Sequence, residues 1–150
     1  MSLALSMVPI QSAQREEFLE MARQHFCELN PAFTPASDWR TSYFENISNN
    51  SGFRLCWIVV NDVRVGFILF GVEDHRFLPR KIGAIYELYV LPAERRKGIA
   101  RACALQAISE LRHLAPSKIQ LEVMMGNTAA CELWKSLGFR EVTERLVLSA

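Results

Sequence analysis

No apolar run in the chain approaches the roughly 18 residues that a membrane-spanning helix needs, so no membrane partner is expected. Neither charge is in excess: seventeen basic side chains against sixteen acidic ones leave a formal net charge of +1. Without a basic field, nucleic acid and anionic membrane are not expected as main partners. CxxC pairs are absent, and Cys27, Cys56, Cys103 and Cys131 each sit among apolar neighbours. They read as small hydrophobes in a reducing compartment, and their spacing from His25, His75 and His113 supports no metal site. The opening residues lack the basic region of a signal peptide, so a cytoplasmic protein is expected. There is no repeat, low-complexity tract or linker, and residues 1–150 read as one domain.

What the chain has in quantity is hydrophobic side chains, 50% of the total against 22% charged, a composition able to form a packed core. Ala4 to Ile10 reads as a first strand. From Ala13, Phe18, Met21, Ala22, Phe26 and Leu29 recur at helical spacing, up to Asn30-Pro31. Ser37 or Asp38 can cap a second helix ending near Ile47. The runs Arg54–Val60 and Val63–Val72, separated by Asn61-Asp62, predict a hairpin. Gly83 to Leu91 predicts a fourth strand, about Lys97 to Leu114 a long helix, and Ile119 to Val123 a fifth strand. Asn127 caps a helix whose stripe is Ala130, Leu133, Trp134 and Leu137, with Gly138 at its C-terminal end. Phe139 to Leu148 reads as a last strand. The order β-α-α-β-β-β-α-β-α-β predicts a mixed sheet with helices on both faces, its fourth and fifth strands parallel.

Where the fourth strand gives way to the long helix, Arg95-Arg96-Lys97 precede Gly98-Ile99-Ala100. Free amides at a helix start, together with the helix dipole, attract anions, and small residues let phosphate oxygens approach the backbone. A solvated basic turn with a packing glycine has the same pattern, and local physics alone does not separate the two.

Val90-x-Pro92-x-x-Arg95-x-x-Gly98-x-Ala100 resembles the signature of the GCN5-related N-acetyltransferase (GNAT) family. Asn127-x-x-Ala130-x-x-Leu133-Trp134-x-x-x-Gly138-Phe139 is similar to the family's second motif, with Trp where Tyr is usual. The resemblance extends over nearly the whole chain. It implies an α/β fold with a mostly antiparallel mixed sheet of six or seven strands and four helices. It implies acetyl-CoA as cosubstrate, with Leu88, Tyr89 and Val90 offering backbone groups to the pantetheine arm. By the same resemblance Arg95 and the segment Arg96, Lys97, Gly98, Ile99, Ala100 and Arg101 cradle the pyrophosphate, Asn127 reaches the pantetheine or holds the splayed strand ends, and Trp134 stands where the family's Tyr lies near the sulfur. The family's fourth and fifth strands diverge to make room for that group.

The chemistry needs a proton acceptor, because a primary amine with a pKa near 10 arrives mostly protonated. Glu87 is the first candidate: many family members carry an acidic residue there or one position earlier, where this chain has Tyr86; strand alternation puts Glu87 with Ile85 and Tyr89 and opposite Tyr86 and Leu88. A salt-bridged structural role is its alternative. Glu122 is a weaker candidate. The backbone N–H near Val90 can serve the developing oxyanion. Trp134 cannot donate a proton as the usual Tyr can, so Tyr89, Tyr86 or water would protonate the leaving thiolate, or none is needed. A thiol pKa of about 8.5 makes that loss worth only roughly 2 kcal/mol. Trp134 otherwise reads as core.

Many family members finish with a two-strand hairpin, whereas twelve residues follow Gly138; one long strand fits, and an acceptor wall borrowed from a second subunit would make a homodimer. Phe33, Asp38, Trp39, Tyr43, Asp74, His75 and Phe77 would shape the acceptor site and suit a cationic amine. A small-molecule amine (aminoglycoside-like, polyamine or amino acid) is expected first and a protein N-terminus second. A non-catalytic CoA sensor and an unrelated nucleotide-binding domain are the readings from other classes.

Overall fold

A computed structural model describes residues 4–150. The strands are β1 Leu5–Pro9, β2 Phe53–Val60, β3 Val63–Asp74, β4 Lys81–Val90 and β5 Ile119–Gln120; the helices are α1 Arg15–Leu29, α2 Trp39–Ser48, α3 Ile99–His113 and α4 Thr128–Ser136. They form one sheet in the order β1-β2-β3-β4-β5, antiparallel except for the parallel β4–β5 pair. The predicted order of elements stands up to α4, and the mixed α/β architecture is the expected one.

The β2–β3 turn is closed by Asn61 (φ 51°) and Asp62 (φ 64°). Two left-handed residues match the right-handed twist of the strands they join. A Cβ at Gly66 would lie 1.9 Å from the Tyr89 carbonyl oxygen, so no larger residue fits where β3 crosses this part of β4.

Two cores lie on opposite faces of the sheet. Ile58, Ile68, Ile85 and Val90 pack against Cys103, Ala107 and Leu111 of α3 and Trp134 of α4. On the other face, Trp57, Phe67, Leu69 and Tyr89 pack against Phe18, Leu19 and Ala22 of α1 and Phe44 of α2. Each fully buried Phe, Leu or Ile contributes about 1.5–3 kcal/mol relative to exposure, so the helices are held chiefly by these faces. Cys56 and Cys103 are buried, as expected, while Cys27 and Cys131 are half-buried.

Two expectations change. The sheet has five strands, not six or seven: Phe139 to Leu148 forms no strand, and β5 ends at Gln120 rather than Val123. From Arg140 onward no amide enters a backbone hydrogen bond among the described residues. Side-chain pairs, Lys135–Glu141 at 3.1 Å and Glu122–Arg145 at 2.9 Å, hold that segment beside α4 and the chain beyond β5. Alternating apolar residues supply strand propensity, but a strand needs a neighbouring edge in register.

Candidate active site

β4 pairs with β3 along its length but with β5 only at Gly83 and Ala84. Its outer edge from Ile85 onward is therefore unpaired among the described residues, and β5, expected to run alongside and diverge, ends at Gln120. The Leu91 N–H donates to the Val65 carbonyl of β3 at 2.8 Å. Strand alternation then turns the Val90 N–H and C=O to the opposite, free edge. The Arg95 Nε occupies the carbonyl at 2.8 Å and leaves the N–H available.

A bulge interrupts β4. Leu69 faces Glu87 and the next residue of β3, Phe70, faces Ile85, so Tyr86 is the extra residue. Regular alternation predicts Glu87 beside Ile85 and opposite Tyr86; the bulge overturns both expectations. Ile85 belongs to the α3/α4 core, whereas Tyr86 and Tyr89 belong to the α1/α2 core, and Glu87 meets His25 of α1. Bulges beside active sites re-aim side chains in this way. The Glu87 Oε2 lies 2.5 Å from the His25 Nε2, with the carboxylate side chain 24% exposed and the imidazole 10%. Sequence reading weighed His25 only as a metal ligand, because nothing local to α1 links it to a carboxylate 62 residues away.

The cleft between the diverging strands is lined by His25, Tyr86, Glu87, Leu88, Asn127 and Trp134, among others. Asn127 caps α4, its Oδ1 accepting the Ala130 N–H at 3.3 Å. Trp134 is 8% exposed and meets Phe139 edge to face at 5.5 Å, so it is both core and cleft wall. Tyr89 is buried on the α1/α2 face against Phe67 and His25, and its phenol pKa is raised by burial and by the Glu28 carboxylate. Tyr86 donates to Glu73 at 3.1 Å, and burial with that carboxylate pushes its pKa up to about 12. Glu122 is largely exposed and paired with Arg145.

In the turn that starts α3, Gly98 has φ 79° and Arg96 φ 63°. The first amide there to enter the helix ladder is that of Ala102, which donates to the Gly98 carbonyl at 3.0 Å. The amides from Arg96 to Arg101 find no backbone acceptor among the described residues and can receive an anion. The basic side chains are less free than the sequence suggests. Arg95 is committed to Glu28 and Val90, Lys97 to Glu94, and Arg101 to Ser136; Arg96 alone of this group has no partner among the described residues.

Of the acceptor candidates, Phe33, Trp39 and Tyr43 form an aromatic ladder with Phe26, with Trp39 and Tyr43 stacked at 5.4 Å. Burial, and then the Glu87 carboxylate, raise the Tyr43 pKa. Asp38 lies at the N-terminus of α2. Asp74 pairs with Lys81, His75 accepts amides of Phe77 and Leu78 within its own loop, and Phe77 is exposed.

A sheet that parts beside a helix N-terminus is the arrangement expected from the sequence resemblance. Residues 16–139 match the acetyltransferase (GNAT) family. The chain belongs to that family. It is 27% identical over 129 residues to an N-acetyltransferase of Methanocaldococcus jannaschii, a match covering 84% of this chain and 56% of the archaeal protein. It is 41% identical over 106 residues to the mycothiol acetyltransferase of Renibacterium salmoninarum, covering 71% of this chain and 31% of that protein. A solved aminoglycoside N-acetyltransferase in complex with CoA superposes with a TM-score of 0.74 at 17% identity, over the whole of this chain and 96% of the other. The chain thus spans little more than half the length of the first relative and about a third of the second.

Proposed function

We propose that the chain transfers the acetyl group of acetyl-CoA to a primary amine of a small molecule, by direct attack within a ternary complex. The observation that carries this reading is the run of amides from Arg96 to Arg101 without backbone acceptors, set beside the unpaired edge of β4. A diphosphate suits that turn, where α3 contributes its positive dipole end. Backbone groups of Leu88, Tyr89 and Val90 would hold the pantetheine arm, and the thioester would lie between β4 and Asn127, with Trp134 as an apolar wall.

Glu87 takes a proton from the incoming ammonium, directly or through a water. The freed lone pair attacks the thioester carbonyl, whose oxygen is received by the Val90 N–H. The C–N bond forms, the C–S bond breaks, and the second amine proton leaves with the thiolate. Tyr86 holds its proton at neutral pH and can serve as a donor. Tyr89, buried against Phe67 and His25 and not among the residues lining the cleft, fits a packing role better.

Aromatic side chains near Glu87 favour a cationic acceptor, and likeness to an enzyme named for mycothiol supports a small-molecule amine. The reading includes a homodimer. Val142, Leu146, Val147 and Leu148 are 77–94% exposed in the segment that Arg145 ties to Glu122, and a second copy would cover them and offer the strand partner they lack.

Initial-rate kinetics with acetyl-CoA and an amine panel, following thiol release, tests the reading. Intersecting double-reciprocal lines are expected; parallel lines would exclude a ternary complex. Tight acetyl-CoA binding with no turnover on any amine would leave a CoA sensor in its place.

A further inference from the structure

We infer that His25 and Glu87 act as one proton-accepting dyad, with His25 a positioning and relay residue for the amine's proton. This rests on the acetyl-transfer reading above. Three features separate His25 from an ordinary core histidine. Its Nε2 meets a carboxylate at 2.5 Å, a contact between residues 62 apart in sequence. It lines the cleft between β4 and the chain beyond β5. Its Nδ1 has no hydrogen-bond partner among the described residues, so the ring is not tied to the fold by a second polar contact.

The surroundings restrict what the pair can do. Phe67 meets the imidazole edge to face at 5.7 Å, with Phe26 and Tyr89 tilted against it at 5.2 Å. These rings hold the imidazole where its polar neighbour is Glu87. Tyr86 and Tyr89 flank the carboxylate on β4. Glu28 on α1 is neutralised by Arg95, and Glu122, across the cleft, by Arg145. Among the described residues no Lys or Arg pairs with Glu87. Imidazole is therefore its charge partner, one able to donate or accept a proton.

The proton balance is simple. Before reaction the dyad holds one proton, on the imidazole nitrogen that faces the carboxylate. The ammonium gives a second, taken by the Glu87 Oε1 or by the His25 Nδ1, both free among the described residues, so the amine becomes neutral and the dyad carries a carboxylic acid beside neutral imidazole or a carboxylate beside imidazolium. The amine then attacks, and the dyad returns that proton to solvent after N-acetyl product and thiol have formed.

The test compares wild type with His25→Gln, which keeps a donor but cannot titrate. Two acceptors are used at one pH: an aliphatic amine, mostly protonated, and a weakly basic amine that is already neutral. The expected result is a loss of at least about tenfold in kcat/KM for the first, in the range of general-base effects, with little loss for the second. The pH profile should change shape, and acetyl-CoA affinity should stay at the wild-type value. Equal losses with both amines and parallel pH profiles would overturn the dyad and leave His25 as packing. Should the variant not fold, nitrogen NMR of histidine-labelled wild type decides. His25 must change protonation across the pH range of the activity limb, and an invariant ring overturns the proposal. Wild type inactive on every amine would instead refute the acetyl-transfer reading.

Discussion

Arg95 reaches back from the turn after β4 to grip Glu28 of α1 in two-pronged fashion, Nη1 to Oε1 at 2.6 Å and Nη2 to Oε2 at 2.9 Å. Its Nε simultaneously caps the Val90 carbonyl, and its guanidinium lies over the Tyr89 ring at 5.5 Å. One side chain thus joins α1, the end of β4 and the turn that begins α3. In the motif it reads as a phosphate ligand; in the fold it is a brace for the backbone that would meet the phosphate.

Arg95→Ala is expected to cost about 1–2 kcal/mol, the sum of a part-buried hydrogen bond and a half-exposed ion pair discounted for solvent screening. Glu28→Ala should cost about 0.5–1 kcal/mol. The double variant should lose less than the sum, because both substitutions remove the same contact. Urea unfolding of the four proteins measures the coupling, and strict additivity would show that the pair contributes nothing.

Gly98→Glu should reduce acetyl-CoA affinity by more than about a hundredfold. The substitution places a carboxylate at the amides meant for a diphosphate and asks a side chain to adopt φ 79°. Isothermal titration is the measurement. Unchanged affinity in a folded variant would remove this turn from the binding site.

Ultraviolet titration should find one tyrosine, Tyr86, ionising at about 12, raised by burial and then by Glu73. Glu73→Gln should bring it down while leaving it above the usual value of about 10, since burial remains. A phenol whose folded pKa is raised stabilises the fold fully below about pH 10, and that contribution fades as the pH rises through about 12. Stability measured across that window should fall in wild type and fall less in Glu73→Gln. Identical titration of the two proteins would show that Glu73 does not act on Tyr86.

Sedimentation at micromolar concentration should give a dimer, and Leu146→Glu with Leu148→Glu a monomer. Both side chains are more than 80% exposed, at 85% and 94%, so charging them costs the single chain little. A wild-type monomer across the concentration range would discard the shared strand.

The periodicity of the chain carried most of the fold. Helical spacing in Phe18–Leu29 and Ile99–Leu111, β-rich runs on either side of Asn61-Asp62, and proline or glycine at element ends all act over a few residues. Such signals survive without tertiary context, as does the glycine that begins α3. Local pattern fared worst at the sheet's far edge. Leu121, Val123 and the residues from Phe139 to Leu148 have strand composition, yet ladder formation depends on a partner that composition does not supply.

By itself the sequence determined the element order up to α4, the anion-friendly start of α3 and the two motifs, because each depends on neighbours along the chain. Only the tertiary structure decided which way Glu87 faces, that His25 is its partner, and that Arg95 is spent on Glu28. A bulge is created by pairing between strands, and contacts between residues far apart in the chain exist only once the sheet has formed, so no local pattern could announce them.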